Sequence, residues 1–466
     1  MRKMVGKMRL FAISDEAFNG IGFPTPDKPF VNVAWKAIMQ KKDEDTKKEV
    51  LPHWPFSLCR RVDSAKVCVM PKYRVPNVGC TLQALSHNLA LLPPIGEVGA
   101  ILTNSQNAFS GSTTPLNILI VPFPFKIGTS SFKDGTPQGR SGKYFSVSQD
   151  WVPEAEEFAI FISDLVIEAE KTSEKVGLIV LPELALDFEK AKAISRKLAK
   201  RFSNLEGLIT GVAEHKADGK IFNSSYSCFF ADNGQGDRIE SEGTQPKHHR
   251  WCLDRSQIER YGLAGVLNPS RNWWEQIDIG EPEMANTRLV YYSLLRPNIT
   301  ISTLICEDLA RIDPAQGVLR AIAPNLVVAL LADGSQLKQR WSARYATVLA
   351  DDPGSSVLTL TSIGMVFKGK DQTRKFPGNV VRVENQDQKF PANIALWKEP
   401  GREVEELELP EGHHSLLLNC AFKSGEDSTM DGRRENTGKV CVSLAGVRPI
   451  KCPNLPIWLD DARILK

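Results

Sequence analysis

The chain has 466 residues, 42% of them hydrophobic and 24% charged, with a formal net charge of +3 at pH 7. That composition excludes a disordered polyelectrolyte and fits a soluble globular protein with room for two or three domains. A charge so near balance gives no argument for nucleic acid by itself, and no apolar run approaches the ~18 residues that would span a membrane.

In chain order, "MRKMVGKMRLFAISDEAF" is basic, but its apolar stretch stops at Asp15 and lacks the cleavage site of a signal peptide. Residues 1–110 are rich in proline and aromatics ("GFPTPDKPF", "LPHWPFSLC") without sustained strand–helix alternation, which predicts a separate, irregular extension. Within it, "KKDEDTKK" at 41–48 reads as a solvated helix face. The apolar spacing of "CTLQALSHNLALLP" at 80–93 predicts a helix stopped by Pro93. "TNSQNAFSGSTTP" at 103–115 has linker composition.

From "LNILIVPFPF" at 116–125 the pattern alternates between strand and helix. Residues 151–171 predict a helix, 176–186 a buried strand, 187–202 a charged amphipathic helix and 207–215 another strand. "IFNSSYSCFFADNGQ" at 221–235 alternates and then turns at Asn-Gly or Gly-Gln, as a hairpin does. Strands follow at 299–305, 325–333 and 356–364, with an alanine-rich helix after Cys306 and another helix at 339–351. Such alternation argues a layered α/β domain. The stretch 262–296, which holds Trp273 and Trp274, is long and poor in periodicity, the signature of a functional loop or lid.

The nine cysteines, at 59, 68, 80, 228, 252, 306, 420, 441 and 452, are odd in number and form no CxxC pair. That is the pattern of reduced thiols in a cytosol. His248, His249 and Cys252 in "HHRWC" are zinc-type ligands without a second Cys/His pair to complete a site, so neither metal nor cofactor is expected.

Apolar strands end on Glu183 in "GLIVLPELAL" and on Cys306 in "ITISTLICEDLA", and Lys247 in "GTQPKHHRW" follows the hairpin at 221–235. A thiol nucleophile needs a base or a positive field, and a donor for the oxyanion it creates. Taken singly, each residue has an ordinary alternative. Cys306 packs as a core thiol, Glu183 caps a helix, Lys247 is a surface cation, and Glu307 and Asp308 favour a helix N-terminus.

Taken together, Glu183, Lys247 and Cys306 in that order resemble the triad of the carbon–nitrogen hydrolase (nitrilase) superfamily. "LIVLPELAL", "GLITGVAEH…IFNSSYSCFFADNGQ", "LICEDLA" and "RYATVLADDPGSSVLTLTSIG" are similar to its motifs in order, and the resemblance covers about 112–422. It implies a four-layer αββα sandwich over 112–422, after the 1–110 extension and before a 423–466 tail. It also implies hydrolysis of an amide or nitrile: Glu183 as general base, Cys306 as nucleophile, and Lys247 with the Glu307 N–H as oxyanion donors. Many members carry a second glutamate shortly after the lysine, which here implies Glu259. That spacing and "ICED" are locally most similar to glutaminase domains of glutamine-dependent NAD synthetases, although the chain lacks an SGGxDS-like loop. Tails in the superfamily often cross to a partner subunit, which implies a homo-oligomer. Extended nitrilase-like domains of this kind resemble those attached to prokaryotic reverse transcriptases, implying such a partner, or a nucleic-acid-associated one, in antiviral defence. The competing expectation is a catalytically silent binding or scaffold protein on the same fold.

Overall fold

Strands that are buried at every position need cover on both faces, and the centre of this molecule is built from such strands. Leu116–Ile120 and Val176–Val180 are parallel neighbours, buried throughout. So are Ile299–Ile305, Leu326–Leu331 and Ser356–Thr361. The computed structural model describes residues 2–19, 68–76, 81–92, 98–104, 114–139, 141–172, 175–215, 220–232, 238–278, 288–296, 299–368, 374–376, 379–381, 391–435 and 440–459.

The first large sheet runs Arg238–Pro246, Ile221–Asp232, Gly207–His215, Val176–Val180, Leu116–Ile120, Ser415–Ser424, Val440–Ile450. The second runs Glu405–Leu409, Ala392–Lys398, Ser356–Thr361, Leu326–Leu331, Ile299–Ile305, Arg288–Arg296, Val98–Asn104. Side chains alternate across a strand, so one strand feeds two cores. Leu326, Val328 and Leu330 join the core shared with Leu119, Ile179 and Leu417 of the first sheet. Val327, Ala329 and Leu331 face the other way, onto Leu319, Ile322 and Leu349 of two helices. Helices Ala155–Glu170 and Phe188–Arg201 cover the first sheet, and Gly317–Ile322 and Trp341–Asp351 cover the second. The result is the expected αββα sandwich.

Local sequence explains the helices well. Asp187 caps Phe188–Arg201 by accepting from the Lys190 N–H at 2.9 Å, and Lys200 and Arg201 close its last turn against the dipole. Its buried stripe of Ala191, Ile194, Ser195, Leu198 and Ala199 has helical spacing and lies on the sheet.

The boundaries differ from those read in the sequence. Val98–Asn104, inside the supposed extension, pairs in parallel with Arg288–Arg296 as the edge of the second sheet. Residues 80–93 form no continuous helix among the described positions: a 3-10 turn at Leu82–Leu85 precedes a strand at Leu89–Leu92, paired with Cys68–Pro71. Asp15, at the end of helix Arg2–Ala17, accepts from the N–H groups of His87, Asn88 and Leu89 and holds that segment extended. Tertiary hydrogen bonds here override apolar spacing. The supposed tail supplies Val440–Ile450, an antiparallel partner of Ser415–Ser424. Buried Glu399 fixes that strand by accepting from the Leu444 N–H and the Ser443 hydroxyl, each at 2.9 Å. The stretch 262–296 is not a simple loop: Trp273–Glu275 pairs with Lys143–Val147, and Arg288–Arg296 lies in the second sheet. The charged run at 41–48 and most of the 103–115 linker lie outside the described residues. No described helix is long and apolar enough to cross a membrane.

Candidate active site

Glu183 sits where the strand Val176–Val180 breaks. Leu181 still donates to Ile209 O at 2.9 Å, but Pro182 has no N–H to continue the ladder. The chain turns through Leu184, whose φ is +55°, and Gly211 donates to Pro182 O at 3.0 Å. A Cβ on Gly211 would stand 2.4 Å from the Glu183 Cα, so only glycine lets this turn lie against the neighbouring strand.

Lys247 follows the strand Arg238–Pro246, and its N–H donates to Asn223 O at 2.7 Å. Its ammonium donates to Glu183 Oε1 and Glu275 Oε2, both at 2.8 Å, and all three side chains are buried. Asn223 Nδ2 bridges the same carboxylates, donating to Glu183 Oε1 and Glu275 Oε1 at 2.8 Å each. The Trp251 N–H donates to Glu275 Oε2 at 3.0 Å. Both Glu275 oxygens are therefore engaged. Glu183 Oε2 is buried and has no hydrogen-bond partner among the described residues.

The second glutamate on the lysine is thus Glu275, and the expectation of Glu259 is corrected. Glu259 lies on the short helix Arg255–Arg260 and pairs with Arg255 Nε at 3.0 Å on the surface, one turn away. Glu275 escaped notice because it sits in the stretch read as an aperiodic loop. The available signal was "WWE", whose alternation places Trp273 and Glu275 inward and Trp274 outward. Asn223 was likewise passed over as one polar residue of a hairpin strand.

Cys306 ends the strand Ile299–Ile305 and opens the one-turn helix Glu307–Ala310. Its N–H remains in the sheet, donating to Leu330 O at 2.9 Å, while its own φ of +43° turns the chain sharply. Positive φ in a residue with a Cβ is strained by about 1–3 kcal/mol and recurs at functional sites. The Glu307 N–H lies in the first helical turn, where intrahelical partners are lacking.

The electrostatics are those of a dry ionic cluster. Burial, then Glu183, pushes the Cys306 thiol well above its ordinary value, against the opposing pull of Lys247. Burial also raises Glu183, with Lys247 opposing and Glu275 adding to the rise. Burial alone would discharge Lys247, but Glu183 and Glu275 outweigh it and raise the ammonium well above its usual range. The resting state therefore pairs a charged lysine with a neutral thiol, and Glu183 is more basic than an ordinary carboxylate.

Around this cluster, Asp333 accepts from Tyr261 Oη at 3.1 Å, Arg340 Nη2 at 2.7 Å and Trp341 Nε1 at 2.9 Å. Phe132, Phe145, Trp251, Tyr261 and Trp273 form an adjoining aromatic core, with Phe145 and Trp251 edge-on at 5.6 Å. Trp273 is packed there, whereas Trp274 is 45% exposed. His249 directs Nδ1 at Asp308 Oδ1, 2.9 Å away. Among the described residues, no group of three or more His, Cys, Asp and Glu side chains is placed to hold a metal.

No protein-family model and no curated protein matches the chain. Solved structures similar to it include glutamine-dependent NAD+ synthetase from Acinetobacter baumannii, at 14% identity and a TM-score of 0.36, over 64% of this chain. The match spans 44% of that synthetase, less than half its length. A carbon–nitrogen hydrolase superfamily protein from Xanthomonas campestris is similar at 13% identity and a TM-score of 0.33, over 63% of this chain and 86% of that one. A nitrilase superfamily member from Saccharomyces cerevisiae is similar at 14% identity and a TM-score of 0.32, over 64% and 90%.

Proposed function

We propose that the chain is a carbon–nitrogen hydrolase of the nitrilase superfamily that cleaves a small amide or nitrile through a thioester on Cys306. The supporting observation is the division of labour around Lys247. Glu275 has both oxygens engaged, while Glu183 keeps Oε2 free in a dry site. A buried carboxylate oxygen with no donor, on the same lysine, is a base awaiting a proton.

For an amide, the Cys306 sulfur attacks the carbonyl carbon as Glu183 Oε2 takes the thiol proton. Negative charge gathers on the carbonyl oxygen. Lys247 has three N–H bonds and gives two to carboxylates, so the third is available to this oxyanion, beside the Glu307 N–H. The tetrahedral species collapses, the C–N bond breaks, and Glu183 returns its proton to the departing ammonia or amine. Water then attacks the thioester, Glu183 takes its proton, and the carboxylic acid leaves as the thiol is reprotonated. A nitrile enters the same sequence through a thioimidate and consumes one more water.

A panel of small primary amides and nitriles, assayed for released ammonia, tests the reading. The native protein turns over at least one class, and Cys306→Ala turns over none. The competing scaffold reading draws on burial, since Cys306 is only 5% exposed. Iodoacetamide separates the two: a working site admits the reagent and alkylates Cys306, and a closed one does not.

A further inference from the structure

We infer that Asp308 is a positioning residue for this site, holding the loop that carries Lys247 against the turn that carries Cys306. The inference rests on the hydrolase reading above. Asp308 is the second residue of the helix Glu307–Ala310, and its carboxylate is fully buried. It accepts no lysine or arginine among the described ion pairs; its partners are the residues directly after Lys247. The His248 N–H lies 3.2 Å from Oδ1 and 3.0 Å from Oδ2. The His249 N–H and Nδ1 lie 3.0 and 2.9 Å from Oδ1.

Two successive backbone N–H groups on one buried carboxylate fix a chain direction, because hydrogen bonds to a carboxylate are stronger than those between neutral groups. The two loops come from different sheets, Lys247 from the first and Cys306 from the second. Asp308 is therefore a direct clamp between them. Glu183 and Glu275 hold the lysine by its ammonium, and Asn223 holds its backbone N–H.

The test reads the pH at which iodoacetamide alkylates Cys306, followed by peptide mass mapping, in the full chain. Removing a nearby anion makes a thiolate easier to form, whereas moving the ammonium away makes it harder. The signs therefore separate the explanations. Asp308→Asn should move the profile to higher pH by about half a unit to one unit, because the segment after Lys247 is no longer held against the Cys306 turn. A plain loss of charge would move it lower, and a merely structural role would lower the melting temperature without moving it; either outcome overturns the inference. If Asp308→Asn does not fold, His249→Ala, which removes the Nδ1 contact to Asp308, should shift the profile in the same direction by less, and no shift overturns the inference. Glu183→Gln is the control for the underlying reading and should move the profile to lower pH. If Glu183→Gln moves nothing, the hydrolase reading falls and takes this inference with it. If Glu183→Gln responds and the Asp308 variant does not, only the clamp is lost.

Discussion

The turn that carries Glu183 and the short strand that carries Glu275 deliver two carboxylates to one ammonium, each at 2.8 Å. Distance does not distinguish them. What differs is the remaining valence: Asn223 and Trp251 complete Glu275, while Glu183 keeps one buried oxygen without a donor among the described residues. The structural settings differ too. Glu183 stands on a tight turn against Gly211, beyond the end of a fully buried strand, whereas Glu275 is held within a three-residue strand pairing. Proximity to one buried lysine thus does not separate the two carboxylates; their unfilled hydrogen-bonding capacity does.

The largest effect that could break this contrast comes from the two isosteric replacements. Glu183→Gln removes the proton acceptor and should lower turnover by roughly 10²–10⁴-fold. Glu275→Gln leaves the base in place and should cost on the order of tenfold or less. Ammonia release under saturating substrate measures both, and equal losses would erase the distinction. Lys247→Met removes an oxyanion donor, which costs about 10²–10³-fold in rate. It also strands two buried carboxylates, so a clear drop in melting temperature should accompany it.

The pH profile sharpens the comparison. The proposed mechanism needs ionised Glu183, and burial raises that group above the usual carboxylate range. The acid limb should therefore lie above the usual glutamate value, with rate falling as pH drops through it. Glu275 contributes to the rise, so Glu275→Gln should move the limb to lower pH. An unmoved limb would mean that another group titrates.

Much of this was legible in the sequence, and what was missed has a common cause. Glu183 and Cys306 each follow an apolar run that announces a strand, and Lys247 follows a hairpin whose first strand alternates, so local pattern predicts where these side chains emerge. The helix 187–202 and the hairpin beginning at Ile221 were visible for the same reason. Glu275, Asn223 and the strand Val98–Asn104 were not, because their roles depend on partners far along the chain. Val98–Asn104 becomes a strand by pairing with Arg288–Arg296, and Asn223 becomes a site residue only when Glu183 and Glu275 converge on it. Glu259 misled because sequence distance from Lys247 stood in for spatial distance.

Smaller effects remain. Gly211→Ala must move the Glu183 turn away from its strand and should cost about 1–3 kcal/mol of stability, with activity falling alongside, as denaturant unfolding and ammonia release would show. Glu259→Gln breaks a surface pair with Arg255, worth no more than about 1 kcal/mol, and should leave turnover unchanged. A large loss of activity in Glu259→Gln would return that residue to the site.

The most direct measurement is intact-protein mass spectrometry after acid quench during turnover of a small amide. The account predicts one acyl group on the native chain, mapped to the peptide containing Cys306 and missing from Cys306→Ala. An adduct on another residue, or full turnover by Cys306→Ala, would contradict it.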